Sequence, residues 1–147
     1  MTNNTVEVLL IEDDPNDVAL TLRELHKHRL ANRIEVVRDG QEAVDFLFGT
    51  EGPTGAPANP VPRFILLDLK LPKLSGLEVL ARIKGDPRTR TIPVTVLTSS
   101  REDVDVARAY DLGVNSYIVK PVDFAQFSDA VKQLGFYWLL LNEAPHA

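Results

Sequence analysis

Glu12-Asp13-Asp14, Asp68, Thr98-Ser99 and Lys120 are residues whose types and surroundings suit shared chemistry. Each closes a short apolar run. Val8-Leu9-Leu10-Ile11 leads into Glu12-Asp13-Asp14 and Phe64-Ile65-Leu66-Leu67 into Asp68, while Val94-Thr95-Val96-Leu97 leads into Thr98-Ser99 and Tyr117-Ile118-Val119 into Lys120-Pro121. If the runs are parallel strands, these groups emerge at one edge of one sheet and form a single site. An acidic pocket with one lysine and one hydroxyl suits a phosphoryl group and a metal ion. Carboxylates gathered there repel and raise one another's pKa unless a cation intervenes. Mg2+ fits that need, because it takes oxygen ligands, keeps several waters and bridges carboxylates to phosphate.

The spacing of apolar residues predicts the elements that must position these groups. Residues 6–11 are near-continuously apolar apart from Glu7, as in a parallel strand covered on both faces. Pro15 suits a first helical turn, Asp13 or Asp14 can cap it, and Val18, Leu22, Leu25 and Leu30 recur at helical spacing. Residues 34–37 read as a second strand, Asp39 as an N-cap, and Ala43, Val44, Phe46 and Leu47 as the buried side of a second helix. A third strand at 64–68 is followed, after a turn over 72–76, by a helix marked by Leu77, Leu80, Ala81 and Ile83. Residues 93–98 form a fourth strand, 104–112 a fourth helix and 116–119 a fifth strand. A fifth helix begins near Asp123 and carries Phe124, Phe127, Val131, Leu134, Trp138 and Leu141 at spacings of three and four.

Alternating strands and helices of this kind imply an α/β fold with a doubly wound five-stranded parallel sheet and five helices. Ligands of such sheets sit beyond the carboxyl ends of the strands, where the strand order reverses. With the order 2-1-3-4-5, strands one and three are neighbours at that point, so Glu12 and Asp13 face Asp68.

Composition narrows the function classes. With 147 residues, 44% of them hydrophobic, the chain suits one domain spanning 1–147, with a core at 6–134. The net charge of -5 and the lack of a basic patch interleaved with aromatics argue against direct nucleic-acid binding. The chain has no cysteine, which excludes disulfides and thiolate chemistry. Its N-terminus is polar, and its longest apolar run, 136–141, falls far short of the ~20 residues that span a bilayer. No membrane association and a cytoplasmic location are therefore expected. His26 and His28 lie two apart, which points them to different faces of a helix, and His146 is near the C-terminus; none is expected to bind metal.

Two segments exceed what the core needs. Residues 49–63 contain Gly49, Gly52, Gly55, Pro53, Pro57, Pro60 and Pro62, and read as an inserted loop, either a tolerated surface insertion or a surface for a partner. Residues 135–147 extend the last helix with Phe136-Tyr137-Trp138-Leu139-Leu140-Leu141, apolar on every side. One side can dock on the sheet and the other must be covered, so a homodimer through Phe136, Tyr137, Trp138, Leu140 and Leu141 is expected. No output domain is expected after Ala147.

The acidic pair in Ile11-Glu12-Asp13, the run Leu66-Leu67-Asp68-Leu69-Lys70-Leu71-Pro72, Thr98 closing strand four and Lys120-Pro121 closing strand five together resemble a two-component response-regulator receiver domain. The match covers about residues 6–134, and its four-part motif is highly specific. The resemblance implies a flavodoxin-like receiver fold and phosphorelay signal transduction. Asp68 would be the phosphoacceptor, attacking a phosphohistidine on a sensor histidine kinase to form an aspartyl phosphate. Asp13, Asp68 and the backbone carbonyl of Lys70 would hold Mg2+, with Glu12 reaching it directly or through water. Lys120 and the metal would neutralise charge on the transferred group. Thr98, with the backbone N–H of Ser99, would bond a phosphoryl oxygen, and Tyr117 would occupy the family's aromatic switch position. A protein of this kind is a phosphoacceptor that assists its own phosphorylation and dephosphorylation, and it is not an enzyme in the turnover sense.

The inserted loop and the apolar ending also make the chain similar to the single-domain regulators paired with phytochrome-type histidine kinases, which are typically dimers. A bacteriophytochrome is thus the expected kinase. One departure is Lys70, two residues past the acceptor, where small or polar residues are common; a second cation there bears on the lifetime of the acyl phosphate. The residues argue against the rival readings. A haloacid-dehalogenase-like phosphohydrolase wants an Asp where Lys70 stands, and a flavodoxin-like nucleotide carrier wants a phosphate-cradling loop where Glu12-Asp13-Asp14 would repel phosphate. A phosphate-independent scaffold is at odds with the intact set of site residues.

Overall fold

The structure, a computed structural model, describes residues 6–27, 33–50, 55, 58–99 and 102–120. In chain order the elements are β1 (Val8–Ile11), α1 (Pro15–Lys27), β2 (Ile34–Val37), α2 (Gly40–Phe48), β3 (Phe64–Leu67), α3 (Gly76–Gly85), β4 (Val94–Thr98), α4 (Asp103–Asp111) and β5 (Ser116–Val119). The strands form one parallel sheet in the order β2-β1-β3-β4-β5, the doubly wound receiver topology expected from the sequence. The expected fifth helix, the apolar ending with Phe136, Tyr137, Trp138, Leu140 and Leu141, Leu30, His28, His146 and part of the inserted loop lie outside the described residues.

β1, β3 and β4 are buried at every residue because both faces of the sheet are covered. Successive strand residues point to opposite faces, so each strand feeds two cores. Leu9, Ile11, Ile65, Leu67, Val94 and Val96 pack with Val79, Leu80 and Ile83 of α3 and with Ala43 and Leu47 of α2. Val8, Leu10, Phe64, Leu66 and Leu97 pack with Val18 and Leu25 of α1 on the other face. Each such side chain contributes about 1.5–3 kcal/mol by leaving water, and that burial fixes the strand ends in space.

Element ends differ from the expected ones by a residue or two, for identifiable reasons. The first strand starts at Val8 instead of residue 6, since the N–H groups of Glu7 and Val8 converge on one carbonyl, that of Arg33, at 2.9 and 3.3 Å. The third strand ends at Leu67, although the Asp68 N–H still donates to the Ile11 carbonyl at 3.0 Å. Pro93 has no N–H to give and stands just outside β4. The fourth helix spans Asp103–Asp111, one residue earlier than expected, because the chain leaves it through a left-handed Gly113. There the N–H groups of Val114 and Gly113 donate back to the carbonyls of Ala109 and Tyr110, closing the helix in a Schellman arrangement. Within α1 the inward positions are Val18, Thr21, Glu24 and Leu25, while Leu22 is half-buried. Phe46, Leu77 and Ala81 are likewise half-buried at the rims of their helices.

Caps and close approaches aim the loops at the sheet edge. Asp14, not Asp13, caps α1, its Oδ1 accepting from the N–H groups of Asn16 and Asp17 at 2.8 and 3.3 Å. Asp39 caps α2 through the Glu42 N–H at 2.7 Å, and Ser75 caps α3 through the Glu78 N–H at 3.3 Å. Gly76 lies against the backbone of Asp68 and Leu69 so closely that a Cβ would overlap Asp68 O and Leu69 Cα. Gly40 meets Leu74 in the same way. The loop between them turns sharply at Lys73, whose φ is 69°, with the Leu74 N–H donating to the Pro72 carbonyl at 2.8 Å.

The far end of β4 is tied to β5 by Asn115. Its side-chain oxygen accepts from the Val94 N–H at 2.9 Å, and its own N–H donates to the Val94 carbonyl at 2.9 Å. This clamp sets the register that pairs Thr98 with Val119 and delivers Lys120 to the sheet edge.

Candidate functional site

Glu12, Asp13, Asp68 and Lys120 converge beyond the carboxyl ends of β1, β3 and β5. Carboxylate oxygens of Glu12, Asp13 and Asp68 lie within 4.8 Å of one another. Glu12 and Asp68 are buried, whereas Asp13 stands exposed at the mouth. Into this group comes the Lys120 ammonium, buried to 7% exposure, at 2.6 Å from Glu12 Oε1, 2.7 Å from Asp17 Oδ2 and 3.5 Å from Asp68 Oδ2. Glu12 is held at its other oxygen by the Asp14 N–H at 3.3 Å, and Asp68 Oδ1 accepts from the Lys70 N–H at 3.2 Å.

The electrostatics follow from four carboxyl groups, Glu12, Asp13, Asp17 and Asp68, around one buried ammonium. Burial opposes the charge on Lys120, but its hydrogen bonds to Asp17 and Glu12 and the field of Asp68 outweigh burial and hold the ammonium above its ordinary pKa. Glu12 is pushed the other way for a carboxylic acid, to about 8, chiefly by burial; the Lys120 hydrogen bond opposes the rise and neighbouring Asp68 adds to it. One proton and one lysine thus leave the cluster still rich in negative charge. Hard oxygen donors, a surplus of anionic charge and an exposed carboxylate at the entrance are what a divalent cation such as Mg2+ needs.

The remaining expected site residues lie on or just after β4, on β5 and in the loop after β3. Thr98 is fully buried at the end of β4, and its carbonyl accepts from the Lys120 N–H at 2.6 Å, so the hydroxyl-bearing strand end and the lysine are joined through backbone. Ser99 is exposed at the same edge. Tyr117, paired with Val96, is half-buried and packs on the core that also holds Val96. Lys70 directs its N–H at Asp68 while its side chain is exposed. His26 is exposed on α1 and is not part of the Glu12–Asp13–Asp68 cluster. A cleft of about 840 Å³ lies elsewhere, between α2 and α3, with the guanidinium groups of Arg82 and Arg88 5.8 and 5.2 Å from the Phe48 ring. It holds none of the strand-end groups.

The family model of the response regulator receiver domain matches residues 8–132. The chain belongs to that family. It is 43% identical over 138 residues to the probable methanogenesis regulatory protein FilR2 of Methanothrix harundinacea, covering 94% of this chain and 86% of that one. Response regulator Rcp1 of Synechocystis sp. is 37% identical over 140 residues, 95% of this chain and 93% of its own. The Mn2+-bound structure of Rcp1 superimposes with a TM-score of 0.81 at 34% identity, covering 98% and 100% of the two chains. The bacteriophytochrome response regulator RtBRR is 49% identical in sequence, with a TM-score of 0.70 over 96% of this chain and 84% of that one. The receiver thus resembles phytochrome response regulators in sequence and fold, and receiver domains of this signalling family accept phosphoryl groups from histidine kinases. No helix among the described residues is long and apolar enough to cross a membrane.

Sequence reasoning missed Asp17. It reads as a first-turn acid complementing the helix dipole, but it faces the pocket and shares Lys120. The one available signal is its place immediately before inward-facing Val18.

The raised pKa of Glu12 has a sign that can be tested without metal. Between its ordinary value near 4.5 and about 8, the folded protein keeps a proton on Glu12 that the unfolded chain gives up. The folded state therefore binds more protons, and this group's contribution to stability is present at low pH and is lost as pH rises through that window. In EDTA, the stability difference between wild type and Glu12→Gln, measured by urea denaturation, should shift against the wild type from pH 5 to pH 8. A difference that is constant with pH, or that moves in favour of the wild type, would contradict the assignment.

Proposed function

We propose that Asp68 is the phosphoacceptor of a switch that takes its phosphoryl group from a sensor histidine kinase. The observation that carries this reading is the buried Lys120 ammonium 3.5 Å from Asp68 Oδ2, beside the Glu12–Asp13–Asp68 cluster. In the reaction an Asp68 carboxylate oxygen attacks the phosphorus of a phosphohistidine. A P–O bond forms, the P–N bond breaks, and the imidazole nitrogen leaves with the electron pair. Lys120, kept charged by its carboxylate neighbours, supplies positive charge to the phosphoryl oxygens where negative charge accumulates. Asp13, Asp68 and the Lys70 carbonyl, with Glu12 direct or through water, would hold Mg2+, which would supply further charge neutralisation when bound. The protein is consumed as an acceptor once per cycle, so it is a signalling component and not a turnover enzyme.

The product state adds about -1.5 to -2 charges at Asp68. Thr98, with the Ser99 N–H, is the group we assign to sense it, and Tyr117 the residue that repacks when Thr98 moves. Their positions on neighbouring strands support this, since Lys120 and Thr98 are linked through backbone at the same edge. The likeness to the bacteriophytochrome response regulator RtBRR favours a bacteriophytochrome as the kinase, and membership of the receiver family fits a cytoplasmic location. The apolar sequence at Phe136, Tyr137, Trp138, Leu140 and Leu141 favours a homodimer, with residues 6–134 as the receiver core and 49–63 as its inserted loop.

With acetyl phosphate and Mg2+, the intact mass should rise by one phosphoryl group in the wild type and stay unchanged in Asp68→Asn. Retention of a stoichiometric acid-labile phosphate by that variant would refute the acceptor assignment. Replacement of Trp138 with Glu should move the sedimentation mass from dimer toward monomer; an unchanged dimer would place the interface elsewhere.

A further inference from the structure

Asp17 is one of two carboxylates, with Glu12 at 2.6 Å, that bond the Lys120 ammonium more closely than the acceptor does. Its Oδ2 is 2.7 Å from the ammonium, against 3.5 Å for Asp68 Oδ2. Unlike Glu12 it is not among the clustered metal-binding oxygens, so a cation that draws charge from Glu12 leaves the Asp17 contact in place. Its position is set by α1 itself, since the Asp17 N–H is pinned on the Asp14 cap at 3.3 Å and the next residue, Val18, is buried in the core. Asp17 is a third exposed on its side chain, so the contact is partly screened and breakable, as a restraint on a moving group must be.

We infer that Asp17 is a positioning residue that restrains Lys120 in a waiting place, a contact from which the ammonium must be released before it engages a phosphoryl group on Asp68. The inference rests on the acceptor reading above. Lys120 serves two sets of oxygen partners: those of Glu12 and Asp17, with Asp68 farther off at 3.5 Å, in the unmodified protein, and the phosphoryl oxygens during transfer. A contact made only before transfer stabilises the ground state and not the transition state, and so slows the reaction. Removing the Asp17 charge should therefore speed phosphorylation, by roughly 3- to 10-fold for a partly screened ion pair.

The test is the rate of acetyl phosphate labelling at saturating Mg2+, followed by intact mass over a range of donor concentrations, for wild type, Asp17→Asn, Asp17→Glu and Asp14→Ser. Ground-state restraint predicts a higher maximal rate for Asp17→Asn, a return toward the wild-type rate in Asp17→Glu, and no gain in Asp14→Ser, which removes an equal charge from the same helix end while keeping a capping oxygen. A gain confined to half-saturating donor concentration, or an equal gain in Asp14→Ser, would reduce the effect to general repulsion of an anionic donor and overturn the inference. An unchanged or slower Asp17→Asn would overturn it as well. If the wild type itself takes up no phosphate while its fold is intact, the acceptor reading fails and this inference with it; if the wild type is labelled normally, only the role of Asp17 is at stake.

Discussion

One buried ammonium shared among carboxylates is the interaction on which the rest depends. Taking a lysine out of water costs several kcal/mol unless its charge is met at close range, and here Glu12, Asp17 and Asp68 meet it from three different elements. Those elements are the end of β1, the first turn of α1 and the end of β3, while Lys120 itself arrives from β5. The sheet order places β1 beside β3 with β4 between β3 and β5, so the charged groups can gather only at the carboxyl edge. The fold's apolar layers therefore work as a jig. They set strand ends rigidly enough for a costly charge cluster to persist.

The same cluster explains why the site is suited to a reversible covalent mark. Its negative charge exceeds what Lys120 offsets, and one carboxyl group, Glu12, is driven toward its neutral form by burial. Such a site gains when a divalent cation enters and when the lysine finds a better-matched anion. Because the Lys120 N–H is bonded to the Thr98 carbonyl, movement of the lysine strand end is felt by the strand that carries the buried hydroxyl. Phosphoryl chemistry and the β4–β5 edge are thus mechanically adjacent, as a switch requires.

Much of this was legible in the sequence because the signals there are local. Apolar runs ending in charge marked the strands and their ends together, and Asp39 before Gly40 and Pro15 after Asp14 marked helix starts. What escaped was set by tertiary geometry. Asp17 looks like any first-turn acid until β5 brings Lys120 to it. Buried Glu24 sits at a helical position where a polar residue ordinarily faces water. Lys84 reads as a solvated helix end, yet its ammonium bonds the carbonyls of Arg90 and Ile92 at 3.1 and 2.8 Å and closes the turn before β4, with burial lowering its pKa. Asn115 reads as a turn residue but serves as the clamp between β4 and β5. For Asp17, Lys84 and Asn115 the side chain's partner is distant in sequence or lies in a loop whose path no periodicity reveals.

The most direct test of the central claim, that Lys120 is a cation shared between the resting carboxylates and the acceptor's cargo, is a crystal structure of the protein with Mg2+ and beryllofluoride, a phosphoryl mimic. The account predicts beryllofluoride on Asp68 and the Lys120 ammonium within hydrogen-bond distance of a fluorine, drawn away from Glu12. Beryllofluoride on Asp68 with Lys120 still seated on Glu12 and Asp17 would contradict it.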